Sequence, residues 1–571
     1  MVDSFEIEGA LKLGGLPAVK RFCDRLSLTR IIDEEIPIAP QGLVGHGTIF
    51  TALVMNKLHS PTPLYLVQAW GAVSAIDYLL KVSPDQLNDD RLGRMLEAVA
   101  DNAENLKAKI CHEAIREFGL SVGRMHWDLT SLEFYGEYEG QDEDFADVTF
   151  GYNSGGVGKK RQVRFGNLTC SDGAVSGLYH QTYSGNQNDQ NTIGDHLQFI
   201  KKLMEKHDQP IRVVGDSKLA SPEVMVDFEE AGLSFLFPEP SNKDIKAFLE
   251  DYTDLESEDW IELDYISQTD REDEHRKAPV YKAQEAEAEI EIREEKDKTY
   301  ACGMPVTVES KPRGGRPPTP RRTYRFRRLI IFSPPRRVAR RKNRDRRLRD
   351  LEDKLDELTV KFKSPWWRRK KRKRAQTAVE KILSSSKWGK IYDYQLSSAD
   401  EGWSLTYRRD EDALAEIAEL DGLYTLVTNI PKEESDACEV FRDYKGQNDA
   451  EKRFADWKHS TRVSSCFLEN NKRIVGMVFV LTIALLILCL IERHVRLQLP
   501  DGRMTGLLPV KRAMKATGWN ILKRLDSMTL IGVWINGALH WQPSRADPIQ
   551  EKLLKMIRTD VVIPAQTAKA N

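Results

Sequence analysis

RMHWDLTSLE, residues Arg124–Glu133, is the stretch on which the fold turns. It mixes aromatic, β-branched and aliphatic side chains, the composition of a strand buried in a sheet, and it carries one acid, Asp128, in its middle. Downstream, Gln162–Cys170 and Val175–Tyr183 read as two more strands joined at Ser171-Asp172-Gly173, a hairpin signal. A helix is predicted over Asn191–His207, with Ile193, Leu197, Ile200 and Leu203 at spacings of three and four. A short apolar strand, Ile211–Gly215, runs into Asp216, and a helix (Pro222–Ala231) and a strand (Leu233–Phe237) follow. This order predicts an α/β fold built on a mixed sheet, with an antiparallel set of three strands, then βαβ units, and helices on the faces.

Upstream, residues 1–118 read as helical. Pro17 can start a helix with Val19, Phe22 and Leu26 on one face, and further helices are predicted near Thr48–Leu58, Arg91–Ala98 and Asn105–Phe118. Between 240 and 418 the pattern breaks. Glu250–Tyr300 holds 19 acidic and 7 basic residues, whereas Lys311–Arg374 holds 27 basic and 6 acidic, a local charge of +21 in a chain whose net charge is only −2. Gly314, Gly315, Pro317, Pro318 and Pro320 interrupt the chain before a helix over Ala339–Lys361, whose Leu348, Leu351, Leu355 and Leu358 sit in heptad-like positions. Strand character returns at Leu423–Asn429, followed by helices at Asn448–His459 and over the apolar run Ile474–Ile491.

At 571 residues the chain has room for about four domain equivalents. A hydrophobic content of 40% excludes collagen-like and fully disordered classes. Cys23, Cys111, Cys170, Cys302, Cys438, Cys466 and Cys489 form no C-x-x-C pair and are odd in number, against a zinc ribbon, a thioredoxin motif or a disulfide framework. MVDSFEIEGALKLGG at the N-terminus lacks a secretory pattern, and a cytoplasmic setting is expected. Ile474–Ile491 is long enough to cross a bilayer; a helix enclosed in a large core reads the same way, and is the reading adopted.

The residues that carry chemistry are acids. Asp128 and Asp216 fall on strands that can be neighbours, where two hard oxygen ligands suit Mg²⁺; either Asp alone also reads as a turn or helix-cap residue. Glu451, near the start of a helix, can reach over a sheet edge to complete a two-metal site for phosphodiester chemistry. His126 shares a strand face with Asp128 and reads as a polar neighbour. The loop GYNSGGVGKK (Gly151–Lys160) imitates a phosphate loop, but Asn153 stands where the first Gly belongs and Lys160 replaces the Ser or Thr. It reads instead as a basic loop, with Lys159, Lys160, Arg161 and Arg164 available to DNA backbone. Arg336–Arg349 and Arg368–Arg374, the latter including Arg368 and Arg369, are expected along phosphates, with Trp366 and Trp367 stacking on bases. Tyr424 reads as a core tyrosine more than a stacking residue.

The spacing Tyr444-(2)-Gln447-(3)-Glu451-(6)-Lys458 resembles the Y-(2)-R-(3)-E-(6)-K signature of a clan of bacterial insertion-sequence DDE transposases. LNDDRLGRMLEAV (Leu87–Val99), HWDLTSLEFYG (His126–Gly136), GNQND (Gly185–Asp189), VVGDSKLAS (Val213–Ser221) and LDGLYTLVTN (Leu420–Asn429) extend the likeness over most of the chain, toward the subgroup with an N-terminal helical domain and a long insertion before the Glu. The resemblance implies an RNase H-like catalytic core with Asp128, Asp216 and Glu451 as a triad holding two Mg²⁺ ions, for which Mn²⁺ can substitute. It implies that Tyr444 and Lys458 hold the transposon-end phosphate, with Gln447 departing from the Arg of the signature and so lacking its bidentate charge. Its implied layout is an end-binding helical domain (1–118), the core in two parts (119–239 and 419–500), an insertion domain (240–418) that helps to hold DNA, and a C-terminal region (501–571) for dimerisation or DNA contact. Its implied partners are double-stranded DNA, as transposon ends and target, and a second copy of the chain on that DNA, in a bacterial or archaeal cytoplasm. A transposase-derived DNA-binding protein that no longer cuts is the alternative.

Overall fold

The computed structural model describes residues 5–38, 44–134, 138, 141–151, 160–187, 192–207, 210–267, 270–271, 277–293, 295–299, 305–308, 321–368, 370–399, 402–460, 468, 470–535 and 538–559. The core elements, labelled in chain order, are β1 (Arg124–Glu133), β2 (Lys160–Cys170), β3 (Val175–Ser184), α1 (Ile193–His207), β4 (Arg212–Val214), α2 (Pro222–Glu230) and β5 (Ser234–Pro238). After them come β6 (Tyr281–Arg293), β7 (Arg321–Phe332), α3 (Pro334–Phe362), β8 (Leu423–Thr428), α4 (Ala437–Lys445), α5 (Gln447–Ser460) and α6 (Asn471–Arg496).

β3, β2, β1, β4 and β5 lie side by side in that order. β2 is antiparallel to both β1 and β3, whereas β4 runs parallel to β1 and β5 parallel to β4. Three antiparallel strands followed by two parallel ones make the mixed α/β sheet of an RNase H-like core. The hairpin turns at Ser171–Ala174, where Gly173 (φ 73°) and Ala174 (φ 52°) both take the left-handed conformation. Gly173 is required twice over there, since a Cβ would also fall 2.8 Å from the Arg493 side chain.

The sheet does not stop at β5. It continues through β8, β7, β6 and Ile261–Leu263, and Thr149–Gly151 adds to the other edge, making ten strands. The chain between 240 and 418 therefore supplies three strands to the core sheet before α3, the helix Arg372–Ser384 and the hairpin Tyr392–Ala399/Gly402–Arg409 project from it. β6 and β7 pair over their full length, and their opposite charges meet: Arg325 with Glu287 and Glu289, Arg327 with Glu285. Much of the acidic stretch is thus answered by a basic strand, not by the basic helix.

α6 is the centre of the molecule. Of its most apolar window 94% is buried, against the N-terminal helices Leu16–Arg25, His46–His59 and Asp89–Asp101 and against β3. It is the only helix among the described residues long and apolar enough to cross a membrane, and here it is an interior helix. The N-terminal region departs from the all-helical expectation in one element. Phe5–Lys12 is a strand, antiparallel to Thr529–Ile535, which pairs in turn with Ala538–Pro543.

Candidate active site

Arg124, Met125 and His126 of β1 pair with Arg212, Val213 and Val214 of β4, a constant offset of 88 residues. The same offset separates Asp128 from Asp216, so extending this parallel register by two residues sets the two acids side by side, Asp128 midway along β1 and Asp216 just past the end of β4. Alternation along β1 fixes the face. Trp127 lies against His196 of α1, with ring centroids 3.7 Å apart. It crosses Gly166 of β2 so closely that a Cβ there would be 2.2 Å from the indole. His126 and Asp128 therefore address the other face, where His126 lies beside Gly446, the hinge between α4 and α5, and meets Ser171 Oγ at 2.9 Å.

Two ion clusters, one half-buried and one buried, hold α4 and α5 over that face. Asp443, near the end of α4, takes hydrogen bonds from both Arg124 and Arg212, the register-paired first residues of β1 and β4. Ten residues on, Arg453 donates from Nε to the Ala174 carbonyl (2.9 Å) and from Nη2 to that of Gly173 (3.2 Å), and it clasps Glu492 of α6 with both Nη1 and Nη2. Glu451, two residues before Arg453, is exposed. The chain is thus pinned on either side of it, at Asp443 on α4 and at Arg453 on α5.

Electrostatics ties the three acids together. Burial, then the charge of Asp216, and after it that of Glu451, push the Asp128 carboxyl up to about 7, against a hydrogen bond from the Leu129 N–H (2.8 Å) and the more distant Lys218. Asp216 accepts from the Lys218 N–H at 3.0 Å, so it does close a turn at the strand end, as one reading of its sequence required, while its charge still acts on Asp128. Among the described residues no three His, Cys, Asp or Glu side chains are drawn to metal-ligand distance; the acids share a field, not a ligand shell. A carboxyl that burial and then two like charges hold protonated to near neutrality belongs to a donor set short of positive charge. The residues fit hard divalent cations.

The expected DNA-contact residues scatter. Tyr444 is half-buried, 5.8 Å from the Tyr424 ring, and burial raises its hydroxyl pKa. Gln447 opens α5 and is half-buried. Lys160 pairs with Glu133 at 2.6 Å, and Arg161 lies over the Phe150 ring. Trp366 is 53% exposed, with Lys370 Nζ 4.2 Å from its ring. Trp367 instead packs edge-on against Phe362 at 4.7 Å, which makes it a packing residue and not a free stacking face. Tyr424 is a core tyrosine, 6% exposed. Lys159, Arg369 and the side chains of Arg368 and Lys458 fall outside the described residues. Asp443, Arg453 and Glu492 went unread in the sequence because a lone charge gives no hint of its partner; only the placement of Glu492 directly after the apolar run was a signal.

The mixed sheet thus carries one acid midway along its first strand, a second just past the end of its fourth, and a third on α5. Residues 148–487, more than half of the chain, match the family described as Transposase DDE domain, and the chain belongs to that family. The match spans Asp216 and Glu451 and begins after Asp128. Residues 10–111 match a domain of unknown function, DUF4277. No curated protein matches the chain. Among solved structures, the cryo-EM structure of a piggyBac transposase synaptic complex with hairpin DNA is similar at 9% identity and a TM-score of 0.34, covering 90% of this chain and 79% of that one. A superposition that loose carries no detail of the site.

Proposed function

We propose that this transposase binds the terminal inverted repeats of an insertion sequence and catalyses Mg²⁺-dependent strand cleavage and strand transfer through Asp128, Asp216 and Glu451. The observation that carries the reading is the Asp128 carboxyl, raised to about 7 by burial and by the two other acids. Such a cluster is costly to the fold and is useful where cations bind. In cleavage, a water oxygen forms a bond to the scissile phosphorus as the bond to the 3′ oxygen breaks, and a proton passes to that oxygen to leave a 3′-hydroxyl. In transfer, that hydroxyl attacks a target phosphodiester, losing its proton as the target's own bond to its 3′ oxygen breaks. Mg²⁺, bound there, would ease deprotonation of the attacking oxygen and offset charge on the leaving one. The chain's own part is to hold the three carboxylates. Asp128 and Asp216 are fixed by strand register, and Glu451 by the anchors at Asp443 and Arg453. Tyr444, Gln447 and Lys458 lie along α4 and α5 to receive the end phosphate, and a second copy of the chain would engage the other end.

The test is nicking of a supercoiled plasmid that carries the DNA bordering the gene. Asp128→Asn, Asp216→Asn and Glu451→Gln are each expected to reduce Mg²⁺-dependent nicking by at least about three orders of magnitude, the scale of losing a principal electrostatic element of catalysis, while the purified variants still bind that DNA. Full cleavage by any of them removes the assignment. Binding without cleavage by the wild-type chain, in Mg²⁺ and in Mn²⁺, selects the non-cutting alternative.

A further inference from the structure

Between α3 and the sheet lies a cleft of about 880 Å³. One wall is a stripe of α3: Arg336, Arg340, Arg344 and Arg347, at spacings of four, four and three. Lys387 and Lys390 add to the rim. The opposite wall includes Ser217, the neighbour of Asp216, and Tyr444, seven residues before Glu451, so the cleft opens beside the acids. Its two carboxylates are already engaged, Glu239 by a bidentate pair to Arg328 and Asp421 by Arg344. Arg336, Arg347, Lys387 and Lys390 have no carboxylate partner among the described residues.

Three features distinguish this cleft from a generally basic surface. The Tyr424 hydroxyl and Arg344 Nε are buried without a hydrogen-bond partner among the described residues, although the side chains are only 6% and 7% exposed. The fold uses neither donor, and both can pair with a ligand oxygen that enters the cleft. The Arg336 guanidinium lies 4.5 Å from the centre of the Tyr424 ring, holding a cation over the cleft floor. Apolar and aromatic side chains, among them Ile245, Leu249, Ile417 and Trp388, share the lining with the arginines. Phosphates answer the cations and donors, but only unpaired bases present faces to an apolar and aromatic wall, because a duplex keeps its base faces stacked inside. Cationic groove and aromatic platform together are the mark of single-strand binding.

We propose that this cleft holds an unpaired stretch of the DNA strand leading into the acid site, its phosphates on Arg336, Arg347, Lys387 and Lys390 and its bases against Trp388 and the apolar wall. The proposal rests on the transposase reading for the identity of the strand, and requires the end to be locally opened next to the cut.

The experiment uses the full chain in EDTA with a short fluorescein-labelled oligothymidylate and a blunt duplex of equal length, read by anisotropy over a salt series. Arg336→Ala and Arg347→Ala are each expected to weaken oligothymidylate binding several-fold and to lower its log–log salt slope by about 0.7, one single-strand phosphate contact each. Duplex binding should change less, and Lys354→Ala, on α3 outside the cleft, should change neither. On the unaltered chain, oligothymidylate should protect Lys387 and Lys390, but not Lys354, from acetylation. An unchanged slope in both arginine variants, equal losses for duplex and single strand, absent protection, or a wild-type chain that does not bind the oligothymidylate each overturns the proposal. Plasmid nicking keeps the two readings apart: a cutting enzyme with an indifferent cleft sinks only the cleft, and a cleft that binds in a chain that never cuts sinks only the recombination chemistry.

Discussion

Glu492 shows how far a single buried charge reaches in this protein. Burial pushes its carboxyl up, but the paired hydrogen bonds of Arg453, the charges of Arg453 and Arg496, and the Gly518 N–H outweigh burial and hold it below the usual carboxylate range. A group whose pKa is depressed on folding contributes stability that is complete above its unfolded value of about 4.3 and is lost as pH falls through the folded value. Glu492→Gln leaves Arg453 buried without its counter-charge, which costs on the order of 3–5 kcal/mol. The expected outcome is a lower urea midpoint for the variant at neutral pH and a gap that narrows as pH falls below about 4; a gap that stays constant with pH would contradict the pairing. At this scale the sequence was legible where spacing carried information. Asp128, Asp216 and Glu451 could be nominated because strand order and a signature spacing singled them out. Arg453 and Asp443 could not, because their meaning lies in partners 39 and more than 200 residues away.

Among the elements, α6 poses the sharpest sequence ambiguity, since an apolar run of this length suits lipid and core alike. The resolution is in Gly476. A Cβ there would lie 2.2 Å from the Leu96 carbonyl oxygen on the helix Asp89–Asp101, so α6 meets protein backbone at this point and not a fluid acyl chain. Gly476→Ala sets two effects against each other. Helix propensity favours alanine by about 1 kcal/mol, whereas overpacking against rigid backbone costs about 1–3 kcal/mol and leaves the helices spread apart. The clash is with main chain, which cannot rotate away, and the net expectation is destabilisation, seen as a lower melting temperature with nicking retained below it. A variant more stable than wild type, by the roughly 1 kcal/mol of the propensity gain, would mean that the two helices do not touch there. β6 and β7 carry the opposite lesson. Gln284–Ile292 alternates acid with Ala or Ile, and Arg321–Arg328 sets Tyr324 and Phe326 between arginines. Both segments have the period of two that marks a strand, but their charge dominates the reading and the alternation beneath it is easily passed over. The leucines of α3 were legible, since Leu348, Leu351, Leu355 and Leu358 are all buried, although against the helix Arg372–Ser384 and the hairpin after it, not a coiled-coil partner.

The whole molecule is closed by pairing its two ends, a feature that no local pattern could reveal because the partners stand more than 500 residues apart. Phe5–Lys12 covers one edge of Thr529–Ile535, and Trp534 donates from its indole nitrogen to Glu8 at 2.7 Å. Thr529–Ile535 reads TLIGVWI, uncharged and rich in β-branched and aromatic residues, and strands of that kind associate with any free edge they meet. Deleting residues 1–12 exposes this edge while leaving Leu13 and the helix Leu16–Arg25 in place. The energy of the lost ladder is secondary to what the bare edge then does. The truncated chain is expected to self-associate at concentrations where the full chain is monodisperse, by size-exclusion chromatography with light scattering, and Ile531→Lys, at a half-buried position of the strand, should restore monodispersity in the truncated background by placing a charge on it. If the truncated chain instead runs as the intact one does, the terminal strand is an ornament of the sheet, and the C-terminal pair Thr529–Ile535/Ala538–Pro543 is guarded by some other means.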